Sequence, residues 1–316
     1  MKTILWIRRQ SVNLMAQVVD RPYIQHVVEQ LIKGGVTRIE FCLPAPMRPV
    51  AAHLGDGSRW GIQIIHHPDA TPLATEAQDP VLLGELSCLP QLPALAGASC
   101  PTLFFHDEDR ISRWTGWAVL PAAAVTEFFA AEDDWRTACR TLSLQPQKVF
   151  LDAPSLSVST PRQVIVANRM ALEGAFPGLY FEGEERAPGL WVGRAVKLPE
   201  NVEIAAPCYI GEESWIGDGS RLGPHAVIGR QCVVEPGTIV CRSVVGEGTY
   251  LGKGLEVSDS VVSRNTLQSV RWDAEIQIEE RHVASALLED TVPLKWLALC
   301  TAAALTGAFL FIRNAF

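Results

Sequence analysis

LWVGRAVKLPENVEIAAPCYIGEESWIGDGSRLGPHAVIGRQCVVEPGTIV, residues 190–240, places an aliphatic side chain at every sixth position: Val192, Leu198, Ile204, Ile210, Ile216, Leu222, Ile228, Val234 and Val240. Ile, Leu and Val make up 80 of the 316 residues. Nine successive hits in one phase would then arise by chance on the order of once in 10⁵, so the repeat is structural. Glycine follows the aliphatic residue at 193, 211, 217, 223 and 229, and the position four beyond it is small or β-branched, as in Cys208, Ser214, Ser220, Ala226, Cys232 and Thr238. A period of six matches neither a strand nor a helix. It implies a short strand and a sharp corner per repeat, with the aliphatic side chain pointing into a narrow prism and glycine allowing the turn. That is a parallel β-helix of hexapeptide repeats. After Val240 the phase slips by one residue and resumes at Val245, Leu251 and Val257, so roughly four triangular coils are expected, ending near Leu267.

Composition narrows the class. With 48% hydrophobic residues, 20% charged residues and a mean hydropathy of +0.13, the chain is neither disordered nor typical of a wholly water-facing domain. A net charge of −8 argues against a protein whose main partner is nucleic acid. The eight cysteines include no C-x-x-C pair, which reads as reduced, buried thiols without disulfides or zinc.

The two ends differ. MKTILWIRRQSVNLM has no sustained apolar core or cleavage site and is not a secretory signal. From Trp296 to Ile312 run 17 uncharged residues, bracketed by Lys295 and Arg313. As a helix they would span roughly 25 Å, just under the hydrocarbon thickness of a bilayer. The expectation is a C-terminal single-pass transmembrane helix that anchors the protein to the cytoplasmic face of the inner (plasma) membrane. Small residues at four-residue spacing, Ala303 with Gly307 and Ala304 with Ala308, would let a second membrane helix approach closely.

The first half alternates strand-like and helix-like runs. KTILWI reads as a strand, RPYIQHVVEQLIKGG as an amphipathic helix ended by Gly34 and Gly35, and TRIEFCLP and WGIQIIHH as further strands, which makes an α/β domain. RPYIQHVVEQLIKGGVTRIEF, LGDGSRWGIQIIHHPDATPLATEA and STPRQVIVANRMAL, followed by hexapeptide coils, together resemble the sugar-1-phosphate nucleotidyltransferases, the nucleotide-sugar pyrophosphorylases such as mannose-1-phosphate guanylyltransferase. The resemblance covers nearly the whole chain up to the apolar tail. It implies a Rossmann-like nucleotidyltransferase domain over residues 1–185, a left-handed β-helix over 190–267, a linker over 268–290 and the membrane anchor over 291–316.

In that family a sugar phosphate attacks the α-phosphate of a nucleoside triphosphate. The meeting of two anions calls for a glycine-rich loop, cationic side chains and a magnesium ion held by two carboxylates. The expected G-G-x-G-T-R-L loop after the first strand is replaced by Arg8, Arg9, Gln10, Ser11, Val12 and Asn13, without a glycine, and the lysine of the family's P-K-P segment falls near Asn13. The first metal carboxylate should end an apolar strand as N-G-D, for which PTLFFHDEDR offers Asp107 or Glu108. The second lies in D-x-G-T-P, which aligns with Ser157, Val158, Ser159, Thr160 and Pro161, so a serine stands where the aspartate belongs. P-L-G-T-A becomes Pro72, Leu73, Ala74, Thr75 and Glu76, where Glu76 adds an anion beside the ligand.

Each loss of this kind costs roughly 10²- to 10³-fold in rate, so the leading expectation is a pseudoenzyme with no catalytic residue, metal or cofactor. Asp107, Glu108 and Ser157 would be remnants, and Arg8, Arg9 and Thr75 the remaining ligand-binding candidates. Such a protein would be a scaffold or regulatory subunit for a membrane glycosyl or phosphoglycosyl transferase in exopolysaccharide or surface-glycan synthesis, self-associating and able to take a nucleotide sugar. One alternative is a divergent, magnesium-dependent pyrophosphorylase using Arg8, Arg9, Asp107 and Asp152. Another is a hexapeptide acyltransferase with His225, the only histidine inside the repeat, as general base.

Overall fold

The structure, a computed structural model, describes residues 2–7, 12–43, 48–67, 79–93, 100–108, 111–130 and 134–287. The first half is built from strand β1 (Lys2–Trp6), a small hairpin of β2 (Gln17–Val18) and β3 (Arg21–Pro22), helix α1 (Tyr23–Lys33), β4 (Arg38–Cys42), α2 (Arg48–Leu54), β5 (Gln63–His67), β6 (Val81–Glu85), β7 (Thr102–Glu108) and β8 (Ile111–Leu120). Then follow α3 (Val125–Ala130), α4 (Trp135–Thr141), β9 (Gln147–Leu151) and α5 (Pro161–Leu172).

Seven strands form one sheet in the order β5-β4-β1-β6-β8-β7-β9, parallel throughout except for β8, which runs against both neighbours. In such a sheet the crevice beyond the carboxyl ends of the parallel strands is the place for a ligand. One face carries the larger core, where Ile24, Val27, Val28 and Leu31 of α1 bury the stripe that their 3–4 spacing predicts. The other is closed by α3 and α4 over Ile4, Val81, Leu83 and Phe105.

His26 lies within α1 at 1% exposure, its Nε2 donating to the Val18 carbonyl at 2.9 Å. Burial holds this imidazole below its usual range, outweighing the opposing pull of the Val18 carbonyl and Asp20. The unfolded chain takes up a proton near pH 6.5 and the folded chain resists it, so this contribution to stability is complete above about pH 6.5 and is lost as the pH falls below it. His26→Gln keeps a donor without the titration. Its melting temperature should fall less between pH 7.5 and 5.5 than that of the wild type, and an equal fall would contradict the assignment.

The second half is a three-sided prism. One face stacks Leu190–Val192, Cys208–Ile210, Ala226–Ile228, Val244–Val245 and Ser260–Ser263; the other two stack four strands each. Cys208 pairs with Ala226, 18 residues on, whereas Val227 pairs with Val244, 17 residues on, so the slip of phase is a coil one residue shorter. Inward-pointing Ile210, Ile216, Leu222, Ile228, Val234 and Val240 form the prism core. Corners adopt positive φ in vertical register, as at Glu213 (57°), Gln231 (53°) and Gly248 (64°). Glycine after the aliphatic residue is imposed by the stacking: a Cβ at Gly211 would lie 2.5 Å from the Arg230 amide of the next coil. The small hydroxyls of the repeat close the stack, with Ser214 Oγ donating to Gly229 O at 2.9 Å and Thr238 Oγ1 to Gly252 O at 2.7 Å. The seven cysteines among the described residues form no disulfide with one another, and burial pushes the Cys208 and Cys232 thiols up to about 12.

The stretch read as a linker, 268–290, contains strands as far as it is described. Thr266–Ser269 turns back antiparallel on the last coil, Ala274–Gln277 pairs antiparallel with Thr266–Ser269, and Ala284–Ala286 pairs antiparallel with Thr249–Leu251. Their backbones complete open sheet edges, a role that the polar AEIQ pattern does not advertise. No helix among the described residues is long and apolar enough to cross a membrane. The proposed anchor, 291–316, with Ala303, Ala304, Gly307 and Ala308, lies outside the described residues.

The two halves share one core. Tyr209, Val227, Val244 and Val261 point outward from the prism and pack against the face of the first half that bears α5. Gln17 Oε1 accepts from the Glu247 amide at 2.9 Å, and His225 Nε2 meets Glu173 Oε1 at 2.8 Å.

Candidate functional site

Beyond the carboxyl ends of β6, β7 and β9 lies a cleft of about 810 Å³, floored by the β8 segment Arg113–Gly116 and walled by α5. Two loops meet there. Leu89, after β6, and Leu156, after β9, exchange both backbone hydrogen bonds at 2.8 and 2.9 Å, and both side chains are buried. This two-residue bridge brings Glu85 and Ser157 into the lining of one cleft.

Glu85 ends the apolar strand VLLGE and is 7% exposed. Ser87 holds it twice, by its hydroxyl on Oε2 and by its amide on Oε1 at 3.3 Å. Space for it is made by two glycines. A Cβ at Gly116 would come within 2.7 Å of Glu85 Cβ, and one at Gly84 within 2.6 Å of the Trp117 ring, whose Nε1 donates to Cys88 O at 2.8 Å. Gly84→Ala therefore has to displace Trp117. We expect a loss of ~1–3 kcal/mol, a melting temperature lower by several degrees and a weakened near-ultraviolet tryptophan signal.

Ser157 stands just before α5, where Thr160 accepts from the Gln163 amide at 3.2 Å and Pro161 occupies the first turn. Thr160-Pro161 is thus a helix start, and Ser157, three residues before the cap, is uncharged. Asp152 and Arg113 complete the charged lining. No three acidic, histidine or cysteine side chains among the described residues converge on a metal-sized space. A magnesium ion would find the buried carboxylate of Glu85, held by Ser87, the exposed one of Asp152, and a neutral hydroxyl at Ser157. Mg²⁺ demands hard anionic oxygen and near-ideal geometry, so the hydroxyl of Ser157 does not fit the place of a carboxylate in the pair such an ion requires.

Glu85 is a residue that the sequence reading passed over. An apolar run closed by Gly84-Glu85 matches the strand-then-acid pattern N-G-D as well as PTLFFHDEDR does, and the fold puts it in the cleft that Ser157 also lines. Asp107 and Glu108 end the backbone of β7, and their side chains lie outside the described residues, as do Arg8, Arg9 and Thr75. His225 sits at a coil corner with φ 56°, its imidazole engaged by Glu173 at the end of α5, which makes it part of the contact between the halves.

A profile described as bacterial transferase hexapeptide (six repeats) matches residues 207–242. A UTP–glucose-1-phosphate uridylyltransferase of Synechocystis sp. is 33% identical over 97 residues, which are 30% of this chain. The chain is sugar-1-phosphate nucleotidyltransferase-like. It spans a quarter of the length of that uridylyltransferase, the matched share being 25%. A solved glucose-1-phosphate thymidylyltransferase from Bacillus anthracis, in complex with a sucrose, superposes with a TM-score of 0.41 at 12% identity, covering 57% of this chain and 97% of the other.

Proposed function

We propose that this nucleotidyltransferase-like chain has no pyrophosphorylase activity. In this reading it binds a nucleotide sugar or sugar phosphate weakly in the β6–β9 cleft and acts as scaffold or regulatory subunit for a membrane glycosyl or phosphoglycosyl transferase of surface-glycan synthesis. The carrying observation is the pairing of Glu85 with Ser157 in one cleft. The chemistry of two meeting anions needs concentrated positive charge, and a hydroxyl cannot replace the carboxylate that would hold it there. The attachment to a membrane partner rests on the apolar stretch 296–312 of the sequence.

The test is pyrophosphate release by the full-length protein from UTP, GTP or dTTP with glucose- or mannose-1-phosphate and Mg²⁺. No release above background is expected, together with saturable binding of UDP-glucose or GDP-mannose by calorimetry. Turnover that disappears in Glu85→Gln would overturn the reading. Detergent co-purification with and without residues 291–316 tests the membrane role, since a partner retained equally by the truncated protein removes the anchor from assembly. Ser157→Asp restores the second carboxylate and is expected to tighten Mn²⁺ binding about tenfold or more, equivalent to ~1.4 kcal/mol.

A second reading has one observation in its favour. Asp152 lines the same cleft as Glu85, so two carboxylates of this chain share that space and could serve a divergent pyrophosphorylase. The same assay with Asp152→Asn decides it.

A further inference from the structure

The cleft also holds a serine and a histidine in direct contact. His106, on β7, stands in register with Arg113 of β8 on one side and Leu151 of β9 on the other. Its Nδ1 lies 3.3 Å from the Leu151 carbonyl, and its Nε2 meets the Ser155 hydroxyl. A carbonyl oxygen can only accept, so Nδ1 carries the ring proton, and the lone pair of Nε2 faces Ser155 Oγ. The contact therefore runs in the sense that activates a nucleophile: the serine hydroxyl donates to a neutral imidazole whose far side is oriented by a third group.

Both partners sit on supported backbone. His106 lies within the β7 ladder, and Ser155 immediately precedes Leu156, which is clamped to Leu89 by two hydrogen bonds. Neither side chain is sealed off, and both line the cleft of about 810 Å³. Arg113, the cross-strand neighbour of His106, lines it too and puts a positive charge in the same cleft.

We propose that Ser155 is a nucleophile with His106 as its general base, and that the cleft hydrolyses carboxylic esters of small polar alcohols. Ser155 Oγ attacks the ester carbonyl carbon while its proton passes to His106 Nε2. The carbon–oxygen bond to the alcohol breaks, and the alcohol departs with the proton from His106. Water then attacks the acyl-serine, giving up a proton to His106, and the carboxylic acid leaves as the proton returns to Ser155 Oγ. The step needs neither metal nor redox partner, and it is independent of whether the cleft also takes a nucleotide sugar.

The probe is a fluorophosphonate, in which an activated serine displaces fluoride to form a phosphorus–oxygen bond, read by intact mass and peptide mapping on the full-length protein. One adduct per chain at Ser155 is expected, absent in Ser155→Ala and formed at least ~100-fold more slowly in His106→Gln, the scale of general-base catalysis. Thermal melts of both variants confirm that they are folded. p-Nitrophenyl acetate should show a burst of one equivalent that Ser155→Ala lacks. No adduct on the wild type, an adduct on another residue, or labelling of folded His106→Gln at the wild-type rate would each overturn the proposal. If a variant fails to fold, the site of the wild-type adduct decides alone.

Discussion

Val234→Asp is expected to abolish soluble expression of the full-length protein. Val234 is fully buried in the prism and stacks between Ile216 of the coil before and Leu251 of the coil after. A carboxylate there meets only hydrocarbon. The effective penalty for an unpaired buried ion is several kcal/mol, against a total stability of ~5–15 kcal/mol for a typical domain. Each coil also rests on its neighbours alone, so a broken coil interrupts the stack in both directions. The neighbouring Val233→Asp, on the outward-facing half-buried position, is the control and should remain soluble with its β-type circular dichroism intact. A Val234→Asp protein melting within 2 °C of the wild type would contradict the inward assignment, since ~1 kcal/mol already moves a domain of this size by 2–4 °C.

The second large effect is expected at Asn168, where one amide organises the junction of the two halves. Asn168 is 2% exposed, accepts from the Val19 amide at 2.7 Å, and donates to the carbonyls of Gln17 and Val164, each at 2.9 Å. All three partners are backbone groups, and the chain at Gln17 also reaches the prism through Glu247. Asn168→Asp is close in shape but removes both donors, leaving carboxylate oxygen against two carbonyl oxygens. Unsatisfied buried polar groups cost ~1–3 kcal/mol apiece, so a loss of ~3–5 kcal/mol and a melting temperature lower by roughly 10 °C are expected. Hydrogen exchange at Val19 should accelerate more than at Ile228 in the prism core, which distinguishes local detachment from global unfolding. Equal acceleration at both positions would show that the amide holds no particular junction.

The prism was legible because its constraint is local and periodic. An inward aliphatic residue, a glycine that the next coil overlies and a small hydroxyl recur together, and the one-residue slip after Val240 is the shortening from 18 to 17 residues per coil. Helix α1 was legible for the same reason, its buried stripe being written at 3–4 spacing. Asn168 lies in the stretch STPRQVIVANRMAL, but two of its backbone partners, Val19 and Gln17, lie 149 and 151 positions away and no local pattern encodes them. Glu85 was missed because Gly84-Glu85 reads locally as the end of any strand, and its meaning comes from the Leu89–Leu156 bridge, which joins the loops that bring it into one cleft with Ser157. The strands beyond Leu267 were read as a linker because Ala274–Gln277 buries no side chain, so hydropathy carries no trace of its backbone pairing.

Those returning strands bear on what the chain does in crowded solution. A stack of parallel coils with a bare last rung offers unpaired amides and carbonyls to the first rung of another copy, and nothing in such an addition limits its length. Here one face of the tower begins on a reversed strand, Glu184–Ala187, and carries the reversed Thr266–Ser269 on its last coil, and a second ends in the reversed Ala284–Ala286. Reversal breaks the parallel register that a following molecule would have to copy. At those edges a second copy cannot simply continue the parallel stack, which is the kind of device that keeps exposed sheet edges from joining end to end.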